Sequence, residues 1–503
     1  VFWDVQDTMM QDIDRIEVIR GPAGTLWGAN AVNGVVNIIT KDAKETQGLL
    51  VSGGGGTEEL EFQNVRYGWK LGDNAYARVY SKHEERDESR FANRNRGKDD
   101  WGTSQGGFRV DWEPYQDDHF TFQGDAYRSD RNNLNMDDST MNGGNFLSRW
   151  THLFDKDNDI RFQIYYDRTE RDIPFVFQED RNTFDLDFQH HIALNDFNDI
   201  TWGLGYRMTG DDTDKNTLLQ LTPQRRNQQI ANTFVQDEIS LIPERLKLTL
   251  GTKVEHNDYT GFEFQPSARL LWNMDKRQST WLAVSRAVRT PTRLEEDLNI
   301  TVPGITVLGN RDFSSEEVIA YELGYRVKPL DYLTWDIATF YNQYEKLRSI
   351  ERVGANFVEA NQLHGSTYGA EVGATLQPTD WWTVRAAYTY LQVQLHLDPG
   401  STDTTSLATR GNDPRNQFYL RSSWDLPCDL KFDGTLRYVD SLNNGQVPDY
   451  VTADARLAWQ ATKNLELAVV GQNLLDNQHP EFGVGAGQHQ IERSVYGTVT
   501  FQW

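Results

Sequence analysis

The last ten residues, "SVYGTVTFQW", place Val495, Gly497, Val499, Phe501 and Trp503 on one face of a strand and Tyr496, Thr498, Thr500 and Gln502 on the other. Side chains alternate across a strand with period two, so the segment has one apolar and one polar face. In "YVTADARLAW", Val451, Ala453, Ala455, Leu457 and Trp459 oppose Thr452, Asp454 and Arg456. In "LKFDGTLRYV", Leu430, Phe432, Gly434, Leu436 and Tyr438 oppose Lys431, Asp433, Thr435 and Arg437, and residues 330–345 and 381–391 behave alike. A soluble propeller or tandem sandwich would bury the apolar face and expose the polar one. Here Asp and Arg recur together on the face that would point inward, and no blade-length motif repeats. The architecture that accommodates both faces is a transmembrane β-barrel, with lipid outside and a polar lumen within.

The breaks between strands alternate in length. Short ones are "GDN" (72–74), "DKDN" (155–158), "IPER" (242–245), "PTD" (378–380), "LPCD" (426–429) and "ATKN" (461–464). Between them lie long polar stretches at 84–100, 129–143, 209–226, 287–313, 346–362, 394–413 and 475–489. Short periplasmic turns on one rim and long extracellular loops on the other are the outer-membrane pattern. From Gly48 to Trp503 the rhythm predicts about 22 antiparallel strands, and a barrel that wide needs a plug. The expected division is therefore residues 1–47 as plug and 48–503 as barrel.

Composition agrees. The charge is 50 − 74 = −24, which excludes a nucleic-acid partner, since that needs a basic footprint. Mean hydropathy is −0.67, yet aromatic residues reach 12%, as lumen and interfacial girdles require. No apolar run approaches the roughly 18 residues of a membrane-spanning helix. Cys428 is the single cysteine, so no internal disulfide framework exists. The chain opens on Val1 without an initiator Met or signal pattern, which leads us to expect sequence upstream of it.

The stretch "RIEVIRGPAGTLWGANAVNGVVNIITK" carries Gly21, Gly24, Gly28 and Gly34. Neither phosphate-binding glycine spacing is present. The following "VVNIIT" reads as a strand, so no helix N-terminus follows Gly34 to hold an anion. Tight turns and close backbone approach are the expected roles of these glycines.

At this point the chain resembles the TonB-dependent outer-membrane receptors. Ile13 to Lys41 is similar to the C-terminal half of that family's plug. "FVQDEISL" (234–241), "SRAVRTPT" (285–292), "YELGYR" (321–326), "YGAEVGA" (368–374) and "VVGQNLLDNQHPEF" (469–482) resemble its barrel blocks, in order, and the strand ending on Trp503 resembles the terminus by which such barrels are recognised for assembly. The resemblance implies an all-β, 22-stranded antiparallel transmembrane barrel holding the C-terminal part of an α+β plug. It also implies a location in the bacterial outer membrane among lipid and lipopolysaccharide, a monomer, and coupling to TonB, ExbB and ExbD. The family's plug is longer than 47 residues and is preceded by a TonB-binding peptide, so the plug is expected to be incomplete at the N-terminus.

The resemblance further implies a charge lock. Arg20, with Glu17 beside it in "RIEVIRGP", occupies the position of a plug arginine that pairs with barrel glutamates, and Glu322 and Glu371 match those glutamates. Their phase agrees: Tyr321, Leu323 and Tyr325 face lipid and leave Glu322 in the lumen, and Ala370 and Val372 do the same for Glu371. Ligand contacts are expected in the loops, with Asp137 and Asp138 as candidates, and with Asp212, Asp214 and Asn216 at the opening spacing of a calcium loop. Thr217 and Pro223 stand where that loop needs Gly and Glu, which argues against an EF-hand, and a solvated acidic loop is the plainer reading. Met9, Met10, Met136 and Met141 could meet a soft metal such as copper, but packing explains them more simply, and His190 and His191 adjoin a short turn. No catalytic constellation or resident cofactor emerges, which argues against an enzyme. The function implied is active import of a scarce ligand, foremost an iron–siderophore complex, with cobalamin, haem, copper or a saccharide as alternatives. A passive porin and a signalling-only sensor are the rival classes; residues 1–47 argue against the porin.

Overall fold

The structure, a computed structural model, describes residues 4–5, 7–133, 137–215, 217–442, 446–483, 485 and 487–503. Twenty-two antiparallel strands form a closed barrel that begins at Gly48–Gly56 and ends at Ser494–Gln502. Strands neighbouring in sequence pair, and the first closes on the last, Leu50 opposite Gln502 through Gly56 opposite Tyr496. Closure removes the two unpaired edges that lipid could not satisfy.

The outer wall follows the alternation. Val495, Val499 and Phe501 are exposed on it, as are Val451, Leu457 and Trp459 on the strand Tyr450–Thr462. Trp112, Trp272, Trp335, Trp381, Trp459 and Trp503 all lie exposed close to the short turns or the chain terminus on that rim. They form the periplasmic aromatic girdle, where an amphipathic indole spans apolar and wet surroundings.

Strands run further than the alternation suggests. The stretch 346–362, expected to be a loop, is the upper part of a hairpin between Leu333–Val353 and Asn356–Thr379, paired as far as Val353 opposite Asn356 and turned by Gly354 at φ +66°. Likewise Asn198–Thr213 and Arg225–Ile242 invade the expected loop 209–226 from both sides. Above the membrane both faces of a strand meet water, so the apolar–polar contrast disappears while backbone pairing continues.

Inside the barrel, a 3₁₀ turn at Met10–Asp12 leads into β1 (Ile13–Arg20), a single helical turn α1 (Gly24–Trp27) and β2 (Gly34–Thr40). The two strands pair antiparallel, Ile16 opposite Ile38 and Val18 opposite Val36. The strand after Gly34 is as expected. The helical turn before it was not legible, because four residues are too few to display a helical period. Two glycines show why they are glycines. Gly21 has φ +77°, and a Cβ there would overlap the Glu322 carboxylate; one on Gly24 would overlap the Gln265 side chain.

Candidate functional site

The plug segment and the wall meet through charge, largely with polarity opposite to the expected lock. Asp12 lies between two wall arginines: its Oδ1 accepts from Arg66 Nη1 at 2.5 Å and its Oδ2 faces Arg78 Nε at 3.2 Å, with none of the three side chains more than 5% exposed. Asp4 accepts two bonds from Arg171, each 2.7 Å, while Asp7 pairs with Lys82 and Asp42 with Arg109. Arg78 and Arg109 also donate to the carbonyls of Lys41, at 2.6 Å, and Thr40, at 3.1 Å, fixing the end of β2. The C-terminal end of α1 receives a cation: Lys253 Nζ donates to the Leu26 carbonyl at 2.9 Å, where the helix presents its unpaired oxygens and negative pole.

Of the four residues expected in the lock, two come together. Arg20 pairs with Glu371; Arg20 is 63% exposed in the lumen, while Glu371 is partly covered. Glu322 sits against Gly21, and Arg269, its nearest ion-pair partner, is 3.8 Å away on the wall. Glu17 stays within the ribbon, accepting from Arg15 at 2.8 Å and Asn37 at 3.2 Å. A cavity of about 880 Å³ separates the plug segment from the wall, lined by Arg109, Arg149, Arg161, Arg207, Asp185 and Asp187 among others.

The extracellular rim carries its own folded layer. The loop between strands Gln278–Arg289 and Glu316–Leu330 holds α2 (Arg293–Asp297), started by a capping box in which Thr292 and Glu295 satisfy each other's backbone amides. A hairpin, Leu298–Val302 with Ile305–Leu308, pairs antiparallel with Leu219–Leu221 and parallel with Phe357 and Val358. Phe177, Leu221 and Leu298 form a small buried core beneath it. Arg293, 5% exposed, donates to Asp211 at 2.9 Å and to the fully buried Asp297 at 3.0 Å, and Arg226 reaches both Glu296 and Asp297 at 2.8 Å. Four loops are thereby joined into one bracket.

A second bracket ties the tall hairpin to the loop at 398–415. Glu351 accepts from Ser349, Ser401 and Thr402, and Asp403 accepts from the backbone amides of Ile350, Thr405 and Ser406. Burial pushes the Asp403 carboxyl up, but bonds from Ser406, Ile350 and Thr405 outweigh it and hold it at about 2, against an ordinary 3.8. A depressed carboxyl stabilises fully above its unfolded value and loses that contribution as pH falls through the folded one. Pepsin is therefore expected to spare this loop at about pH 4 and cleave it progressively toward about pH 2. Asp403→Asn should be cleaved already at the higher pH; equal resistance of the variant would contradict the assignment.

The remaining candidates are dispersed. Asp137 and Asp138 are exposed, the Asp137 carbonyl accepting from Asn133 at 2.9 Å. Asp212 pairs with Arg225 at 2.7 Å, and Asn216 and Met136 lie outside the described residues. Met9 and Met141 are buried, while Met10 is exposed. His190 bonds Asn158 and Trp202, and His191 bonds Asp159 and Asp199. The basic partners Arg66, Arg78, Lys82 and Arg109 were missed, although their inward phase in the early strands was readable.

Comparison with known proteins agrees with this architecture. Residues 46–474 match the TonB-dependent receptor-like β-barrel family and residues 2–35 the TonB-dependent receptor plug domain. The iron-regulated outer membrane virulence protein of Vibrio cholerae serotype O1 is 23% identical over 530 residues, covering 94% of this chain and 78% of that one. The vitamin B12 transporter of Photobacterium profundum is 22% identical over 523 residues, covering 99% and 81%. A crystal structure of the ferric enterobactin receptor of Pseudomonas aeruginosa superposes with a TM-score of 0.82 at 18% identity, over 99% of this chain and 86% of that one. With its closed barrel, internal plug segment and a family match over most of its length, the chain belongs to the TonB-dependent receptors, the plug-and-barrel transporters of the bacterial outer membrane.

Proposed function

We propose that this receptor captures a ferric siderophore complex at its extracellular loops and imports it when TonB acts on the plug. The observation that carries the ligand class is the similarity, over 94% of the chain, to an iron-regulated outer-membrane protein, supported by the fold shared with ferric enterobactin receptors. Family membership implies coupling to TonB, ExbB and ExbD within outer-membrane lipid. We read residues 1–47 as the C-terminal part of the plug and 48–503 as the barrel. The exposed apolar face of the β1–β2 ribbon, Ile16, Val18, Val36 and Ile38, supports reading it as part of a larger domain.

The two kinds of charge contact suit different tasks. Asp12, held dry between two arginines, anchors the segment near the barrel's first strands. Arg20, which pairs with Glu371, is largely in water, where an ion pair is screened and contributes little, and Glu322 lies against Gly21 without an arginine of the plug segment. They form the contact that yields when the plug is pulled. In a Glu322→Gln/Glu371→Gln variant, amides of β1 should exchange faster while those near Asp12 keep their protection; unchanged exchange throughout would overturn this role.

Tryptophan fluorescence of the purified chain in detergent tests the ligand class. Saturable quenching is expected with ferric siderophores and none with cobalamin. Similarity to a vitamin B12 transporter supports cobalamin as the second reading, and saturable quenching by cobalamin with no response to ferric complexes would establish that reading instead.

A further inference from the structure

We propose that Glu61, His83 and Glu85 form a binding site for a divalent transition metal of the zinc class on the outer wall of the barrel, above its lipid-facing band. Among the described residues this is the only set of three His, Cys, Asp or Glu side chains whose ligating atoms all lie within 4.8 Å of one another. The site lies on the strands Glu59–Gly72 and Ala75–Arg86, toward their extracellular ends. Apolar outward residues begin below it, at Val65 and at Tyr67 opposite Val79. The ligands therefore project above the hydrocarbon, where an ion can enter from water.

The geometry suits a small ion. His83 Nε2 is 3.4 Å from Glu85 Oε1 and 3.8 Å from Glu61 Oε1. Ligands bound tetrahedrally at about 2.1 Å stand about 3.4 Å apart, so the three donors already surround a zinc-sized volume. The other imidazole nitrogen is engaged: His83 Nδ1 lies 2.8 Å from Ser104 Oγ on the next strand. When Nδ1–H donates to that hydroxyl, the Nε2 lone pair turns toward the two carboxylates, the outer-shell arrangement that orients metal-binding histidines.

Strand register adds a separate reason. Glu61 stands directly opposite Glu85 in the ladder. Like charges directly opposed across a strand pair are destabilising, and a divalent cation between them reverses the sign of that interaction. One imidazole with two carboxylates favours zinc, copper or nickel over magnesium or calcium, which seek oxygen-only shells. The fourth position faces outward and takes water.

The test titrates Zn²⁺ alone into the full chain, folded in detergent, by calorimetry, with Co²⁺ absorption as the geometric readout. The wild type should bind Zn²⁺ at this site and develop visible Co²⁺ bands. His83→Gln should lose both, affinity falling by at least about tenfold, and Ser104→Ala should weaken binding while retaining the bands. His396→Gln controls for other histidines, and heat-modifiable gel mobility confirms that each variant is a folded barrel. Wild-type affinity and Co²⁺ bands in folded His83→Gln would overturn the proposal. So would Ca²⁺ or Mg²⁺ binding as tightly as Zn²⁺, or a folded wild-type protein that binds no Zn²⁺.

Discussion

Replacing Asp12 with alanine is expected to weaken docking of the plug segment by about 3–5 kcal/mol, since it leaves buried charge without its partner. Arg66 and Arg78 are both buried, and Asp12 supplies the carboxylate between them. Water cannot take its place without entering the contact between the 3₁₀ turn and the wall. Hydrogen exchange at β2 and at the turn Ala43–Thr46 should rise by about two to three and a half orders of magnitude, at about 1.4 kcal/mol per factor of ten, while exchange in the barrel strands stays unchanged. The Glu322→Gln/Glu371→Gln variant should cost no more than about 1 kcal/mol, because Arg20 is largely in water. If the two variants loosen the segment equally, burial does not decide which contact anchors it.

The second large effect is expected at the extracellular bracket. Arg293→Ala removes a buried guanidinium that joins Asp211, Asp297 and the carbonyls of Pro223 and Gln224. The loss should again be about 3–5 kcal/mol, chiefly because buried Asp211 loses its guanidinium, whereas Asp297 keeps Arg226. It falls on the loop at 290–315 rather than the barrel, so intact cells should show new protease cuts there while the heat-modifiable barrel persists. Arg311 provides the contrast. It is 69% exposed and 3.7 Å from the same Asp297, and its replacement should change protease sensitivity by less than about 1 kcal/mol. Equal sensitivity of both variants would show that the bracket is not held by its buried charges.

Legibility differed by the range of the interaction concerned. The short turns at 72–74 and 155–158 and the inward phase of Glu322 and Glu371 follow from neighbours a few residues away. The tall hairpin around Gly354 was hidden because, above the membrane, both of its faces meet water. Asp12 was passed over because an aspartate beside a short turn carries no mark of burial until the wall is in place. Arg20 drew attention through its motif, yet its exposure makes it the weaker contact.

What the residues determined by themselves was the barrel, its strand number, its outer girdle and the presence of a plug segment. Lipid and lumen impose opposite chemistry on alternate side chains, and that contrast is written locally along the membrane-spanning part of the strands. Which charge meets which was decided only by the tertiary structure. Asp12 and Arg66 are 54 residues apart, and closing the barrel around the plug segment brings them together and removes the water between them. That loss of water gives the pair its strength, and only the assembled fold can produce it.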